Sequence, residues 1–109
     1  MFRGFRQKEK NCKSCPIARV ADVVGDSWSI LIIRDLLSGT KRFGDLESSL
    51  VGISSRTLTK KLLFLEEEKI ISREEFQEKP PRVQYSLTKK GKELHTIVEA
   101  MRKYGQKYL

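Results

Sequence analysis

Histidine and tryptophan each occur once in 109 residues, cysteine twice and proline three times. Two cysteines, Cys12 and Cys15, are too few for the crosslinked framework of a small secreted domain. They form a C-x-x-C, which is half of a tetrahedral zinc site, but no second pair follows and the sole histidine, His95, lies far along the chain. No metal site is therefore expected. A thioredoxin-type pair would need a βαβ context that the pattern lacks. No nucleophile–base–acid set is present and no glycine-rich phosphate loop, so neither an enzyme nor a bound cofactor is expected. The longest aliphatic run, Ile30 to Ile33, is far too short to span a bilayer. The N-terminus has charge without an apolar core segment, so the expectation is no secretory signal and a cytoplasmic location.

Acid is also in short supply. Lys and Arg number 22 against 14 Asp and Glu, a net charge of +8 and a pI of about 9.7. Such an excess favours a polyanionic partner. Residues 1–13 hold Arg3, Arg6, Lys8, Lys10 and Lys13 against Glu9; five cations less one acid leave +4, half of the total. Residues 1–14 are read as a flexible basic arm and 15–109 as one domain.

The domain is punctuated clearly. Pro16 suits the first position of a helix, and Ile17, Val20, Ala21 and Val24 follow at helical spacing until Gly25. Asp26 or Ser27 caps "SWSILIIRDLL", apolar on nearly every side and so central to the core. In "KRFGDLESSL" Phe43, Leu46 and Leu50 mark a short amphipathic helix. "VGI" is a tight turn, and Ser54 caps a helix running to about Lys69. The period then changes to two: "IISREEF" and "RVQYSLT" read as strands joined by "QEKPPR". Thr88 caps a last helix of about 17 to 20 residues, near 88–108. The order predicts a mainly α chain with a small β-hairpin (α+β), a winged helix-turn-helix with an added helix at each end.

On a wheel of about 100° per residue, Leu58, Leu62 and Leu65 of the Ser54 helix share one side. Arg56 and Lys60 point away from it, with Ser55, Thr57 and Thr59 on the flanks. In a helix-turn-helix the first turns of the second helix enter the major groove. Arg56 suits a bidentate contact to guanine, Ser54, Ser55, Thr57 and Thr59 suit phosphates or base edges, and Lys60 and Lys61 suit phosphates. Arg42 joins this basic surface from the preceding helix, and Lys79 and Arg82 from the hairpin loop around Pro80 and Pro81. A merely solvated helix face would look similar in isolation; the neighbouring turn and basic hairpin tell against it. A protein-interaction module presenting a basic surface to an acidic partner is the alternative. RNA binding is disfavoured because the segment lacks an aromatic platform. Leu94, Ile97, Met101, Tyr104 and Tyr108, spaced 3, 4, 3, 4, form a short a/d seam that suits a homodimer contact.

Together, "CPIARVADVVGDSWSILIIRDLLSGTKRFGDLESSLVGISSRTLTKKLLFLEEEKIISR" and "PPRVQYSLTKKGKEL" resemble the HxlR-type bacterial transcriptional regulators over about Cys15 to Leu94. The Cys-Pro opening, Gly-Asp-x-Trp, Arg-Phe-x-x-Leu, Gly-Ile-Ser-x-x-x-Leu and Val-x-Tyr-x-Leu-Thr-x-x-Gly carry the match. The resemblance implies a winged-helix homodimer on palindromic operator DNA. The terminal helices, including Ile17 and Val20, would form its interface. Some such regulators respond to electrophiles or oxidants through a cysteine before proline, the place of Cys15. A helix N-terminus near Lys13 and Arg19 suits a reactive thiol; a half-buried cysteine without a switching role is the plainer reading.

Overall fold

The computed structural model describes residues 15–109. The basic arm, with Cys12 and Lys13, lies outside the described residues. Helix α1 (Pro16–Val24) leads to α2 (Ser27–Leu37), a short strand β1 (Lys41–Arg42), α3 (Phe43–Ser49) and α4 (Ser55–Glu67). Strands β2 (Ile71–Phe76) and β3 (Arg82–Leu87) follow, then a one-turn helix α5 (Lys89–Lys92) and α6 (His95–Tyr108). The sheet is antiparallel in the order β1-β3-β2. This is the winged helix-turn-helix expected, mostly helical with a small sheet.

The local causes are mostly short-range. Pro16 opens α1, where a missing N–H costs nothing. Asp26 is the cap of α2: its Oδ1 accepts from the Trp28 and Ser29 amides at 2.8 and 3.1 Å. Helix α2 buries Ser29, Ile32, Ile33 and Leu36 at the centre of the molecule. Gly52 turns the chain between α3 and α4 at φ 93°, a conformation in which a Cβ would be strained. Ser54 Oγ accepts the Thr57 amide at 3.0 Å and starts α4. Leu58, Leu62 and Leu65 are buried, on the side the wheel assigned to the core.

Three expectations are amended. Helix α4 ends at Glu67, before Lys69, because Lys69 turns left-handed at φ 64° and lets the Ile70 amide bond back to Leu65 O at 3.0 Å. The hairpin gains a third strand: Lys41 and Arg42 pair with Tyr85 and Gln84. The last helix is two helices. Thr88 caps only α5, whose Gly91 lies against the Ile70 carbonyl. The chain turns at Glu93–Leu94 and α6 starts afresh at His95. Leu94 packs onto the core of its own chain, so the seam expected through it is interrupted. No helix among the described residues is long and apolar enough to cross a membrane.

Candidate nucleic-acid interface

Helices α3 and α4, with the Gly52 turn between them, form the helix-turn-helix, and α4 carries the exposed polar groups. Arg56, Lys60, Leu63 and Glu67 are all exposed and recur at four, three and four positions, so they form one outward ridge. Arg56 lies in the first turn. Thr59 lies exposed beside this ridge. Neither Arg56 nor Lys60 is engaged in an ion pair among the described residues.

The other residues singled out in α4 have internal partners. Ser54 caps the helix and its hydroxyl lies 3.0 Å from Thr57 Oγ1. The Ser55 hydroxyl donates to Glu47, tying the start of α4 to α3. Thr57 is only half-exposed. Lys61 leaves the ridge and places Nζ 2.8 Å from Asp26 Oδ2.

Arg42 sits at the start of α3, exposed, its amide donating to Asp45 Oδ2 at 3.0 Å. The β2–β3 loop puts Lys79 at its exposed tip. Arg82 stands at the base. Its guanidinium lies over the Phe76 ring, 4.1 Å from the centroid, and pairs with Glu78 at 3.0 Å. Register places Phe76 directly opposite Arg82, so this cation–π contact holds the root of the wing.

Asp26 is the one described carboxylate whose titration is clearly displaced. Burial pushes it up, but the Lys61 ammonium and the Ser29 amide and hydroxyl stabilise the charged form more and hold it below its ordinary value. A carboxyl depressed by folding stabilises the fold above its unfolded value of about 3.9 and loses that contribution as pH falls through the folded value. Wild type should therefore exceed Asp26→Asn in stability at pH 6, the gap narrowing below about pH 4. Urea unfolding followed by Trp28 fluorescence measures this; a gap independent of pH would show that the carboxylate is not linked to folding.

A second surface lies on α1 and α6. Ile17 is 80% exposed, and Val20, Met101, Tyr104 and Tyr108 are exposed with it. Ile97 and Met101 line an apolar groove with the α1 residues Ile17, Val20 and Ala21. The Tyr104 and Tyr108 rings are 5.0 Å apart. Cys15, at the N-cap of α1, is a free, half-exposed thiol beside this face.

The family model described as HxlR-like helix-turn-helix matches residues 23–109. The chain is 45% identical over 95 residues to the uncharacterized HTH-type transcriptional regulator sll1512 of Synechocystis sp., covering 87% of this chain and 70% of that protein. It is 32% identical to the uncharacterized HTH-type transcriptional regulator YdeP of Bacillus subtilis, covering 96% and 82%. Among solved structures, the redox regulator HypR in its oxidized form superposes with a TM-score of 0.83 at 35% identity, covering 87% of this chain and 98% of that one. The reduced form of the transcriptional regulator YodB from B. subtilis superposes at 0.75 with 33% identity, covering 86% and 93%.

Proposed function

We propose, because this chain belongs to the HxlR-like helix-turn-helix family of transcriptional regulators, that it binds palindromic operator DNA as a homodimer. The family is not one of enzymes. The first turns of α4 would enter the major groove, Arg56 reading a guanine and Thr59 a base edge or phosphate. Lys60, Arg42 and the wing-tip Lys79 would neutralise phosphates, with the basic arm of residues 1–14 adding sequence-independent attraction. Ser54 and Ser55 would act mainly by fixing the start of α4, and Arg82 by holding the wing that carries Lys79. The observation that carries this reading is the exposed ridge of α4 with unpaired Arg56 and Lys60 in front.

The dimer would form through Ile17, Val20, Ile97, Met101, Tyr104 and Tyr108, since a contiguous apolar face on a small charged domain is best covered. A two-fold copy doubles the DNA contacts and matches a palindrome. A DNA-binding regulator of this kind works in the cytoplasm. HypR is described as a redox regulator, and Cys15 offers a half-exposed thiol at a helix N-cap beside the dimer face. An oxidant or electrophile acting at Cys15 is the effector this supports.

The experiment is binding of the full chain to a selected operator and to random DNA across salt concentration, with the mass taken by sedimentation. Two chains per complex and a steep salt dependence are expected, and Lys60→Ala should weaken all sequences alike while flattening the slope by about one. Absence of salt-sensitive DNA binding would overturn the reading. Diamide should change operator affinity in wild type and leave Cys15→Ser unaffected; an equal response in both removes Cys15 from the mechanism.

A further inference from the structure

The pairs Arg34–Asp35, Arg73–Glu75, Arg82–Glu78 and Arg102–Glu99 each join residues within four positions of one another. Asp26 and Lys61 are different. They come from distant parts of the chain and tie the α1–α2 corner to the middle of α4 at 2.8 Å. The two oxygens of Asp26 divide the work. Oδ1 caps α2 through the Trp28 and Ser29 amides, and Oδ2 takes the Lys61 ammonium and, at 3.0 Å, the hydroxyl of the fully buried Ser29. The carboxylate is thus fixed by the helix it starts, and it presents one oxygen at a set place to α4.

Lys61 is poorly suited to a phosphate. Its side chain is 29% exposed and its charge is already compensated. Moving the ammonium to DNA would leave Asp26 negative and unpaired beside a polyanion. We propose that Asp26 and Lys61 are a positioning pair that fixes the recognition helix against the α1–α2 corner, and that Lys61 serves operator discrimination through Asp26 and not through the DNA backbone.

The consequence reaches the dimer. Gly25, the residue before Asp26, terminates α1, and α1 carries Ile17 and Val20 of the proposed dimer face. A link from that corner to α4 references each recognition helix to the two-fold axis. A dimeric helix-turn-helix reads half-sites at a fixed separation of roughly 34–36 Å, so a loosened α4 would lose the operator selectively. The inference rests on the DNA-binding reading above. A contact that only biases orientation adds no more to affinity than its own free energy. For a partly exposed pair that ceiling corresponds to about two- to fivefold per half-site.

The test compares wild type, Asp26→Asn, Lys61→Met, Lys61→Arg and the double variant Asp26→Asn/Lys61→Met, each as the full chain. Operator and random-DNA affinity are measured across salt. Asn at 26 keeps an acceptor for the cap while removing the charge. Both single variants should lose about two- to fivefold per half-site on operator. The double should lose no more than either, and Lys61→Arg should stay near wild type. Lys61→Met should leave random-DNA affinity and the salt slope where they were. A slope flatter by about one, with operator and random DNA weakened equally, would place Lys61 on a phosphate and overturn the proposal. Losses that multiply in the double variant would overturn it too, because the two residues would then act separately. If wild type itself shows no salt-sensitive binding, the DNA-binding reading fails first and this inference falls with it, a result visible before any variant is compared.

Discussion

Arg56→Ala is expected to weaken operator binding by about tenfold to a hundredfold, roughly 1–3 kcal/mol, and to relax preference at one base pair of each half-site. The size follows from what the side chain can do there. Arg56 is held in the first turn of a helix that Ser54 caps and three buried leucines anchor, so its Cα is fixed while its guanidinium is free. A planar fork presented to a groove can give two hydrogen bonds to one guanine, whereas a lysine gives a point charge. Arg56→Lys should therefore retain most of the affinity for random DNA and lose the discrimination. Competition binding against operators changed one base pair at a time measures both. If Arg56→Ala binds operator as tightly as wild type, the placement of α4 in the groove is wrong. Stability should be a clean control, since an exposed side chain with no ion pair changes it by no more than about 0.5 kcal/mol.

The ridge that motivates this prediction was legible because it depends only on period. Leu58, Leu62 and Leu65 define the buried side of α4, and whatever lies opposite is exposed whatever the neighbours do. Gly52 was legible for a similar reason: a turn this tight needs a positive φ. What was not legible depends on a second element. Lys61 looks like Lys60 in sequence, yet it lies within reach of Asp26 only once α2 and α4 have packed. Ser55 meets Glu47 for the same reason. Arg82 stood in the expected basic loop, but it pairs with Glu78 and stacks on Phe76 across the hairpin. Counting strand pairs back from the Pro80–Pro81 turn could have shown Phe76 opposite Arg82. Strand β1 is two residues long, too short to show any alternation. Lys69 gives no warning of its left-handed backbone, since lysine seldom adopts it.

The break in the last helix is the plainest case of packing overriding pattern, and it supplies the second large effect: Gly91→Ala is expected to destabilise the fold by about 2–4 kcal/mol. A Cβ built on Gly91 would lie 2.1 Å from the Ile70 carbonyl oxygen and 3.1 Å from Leu87 Cδ2. The leucine can adjust; the carbonyl cannot easily. Ile70 O accepts both the Thr88 amide at 3.0 Å and the Thr88 hydroxyl at 3.1 Å, and Ile70 follows the left-handed turn that ends α4. Moving it would loosen the cap of α5 and the start of β2 together. Alanine's better helix propensity, about 1 kcal/mol over glycine, offsets only part of this. The urea midpoint should fall without a change in slope, and the melting temperature should drop by roughly 10–25 °C. A midpoint shift equivalent to less than about 0.5 kcal/mol would mean that α5 can back away from Ile70 at little cost. In that event the Gly91 contact would not be what separates α5 from α6, and the turn at Glu93–Leu94 would owe its position to the burial of Leu94 instead.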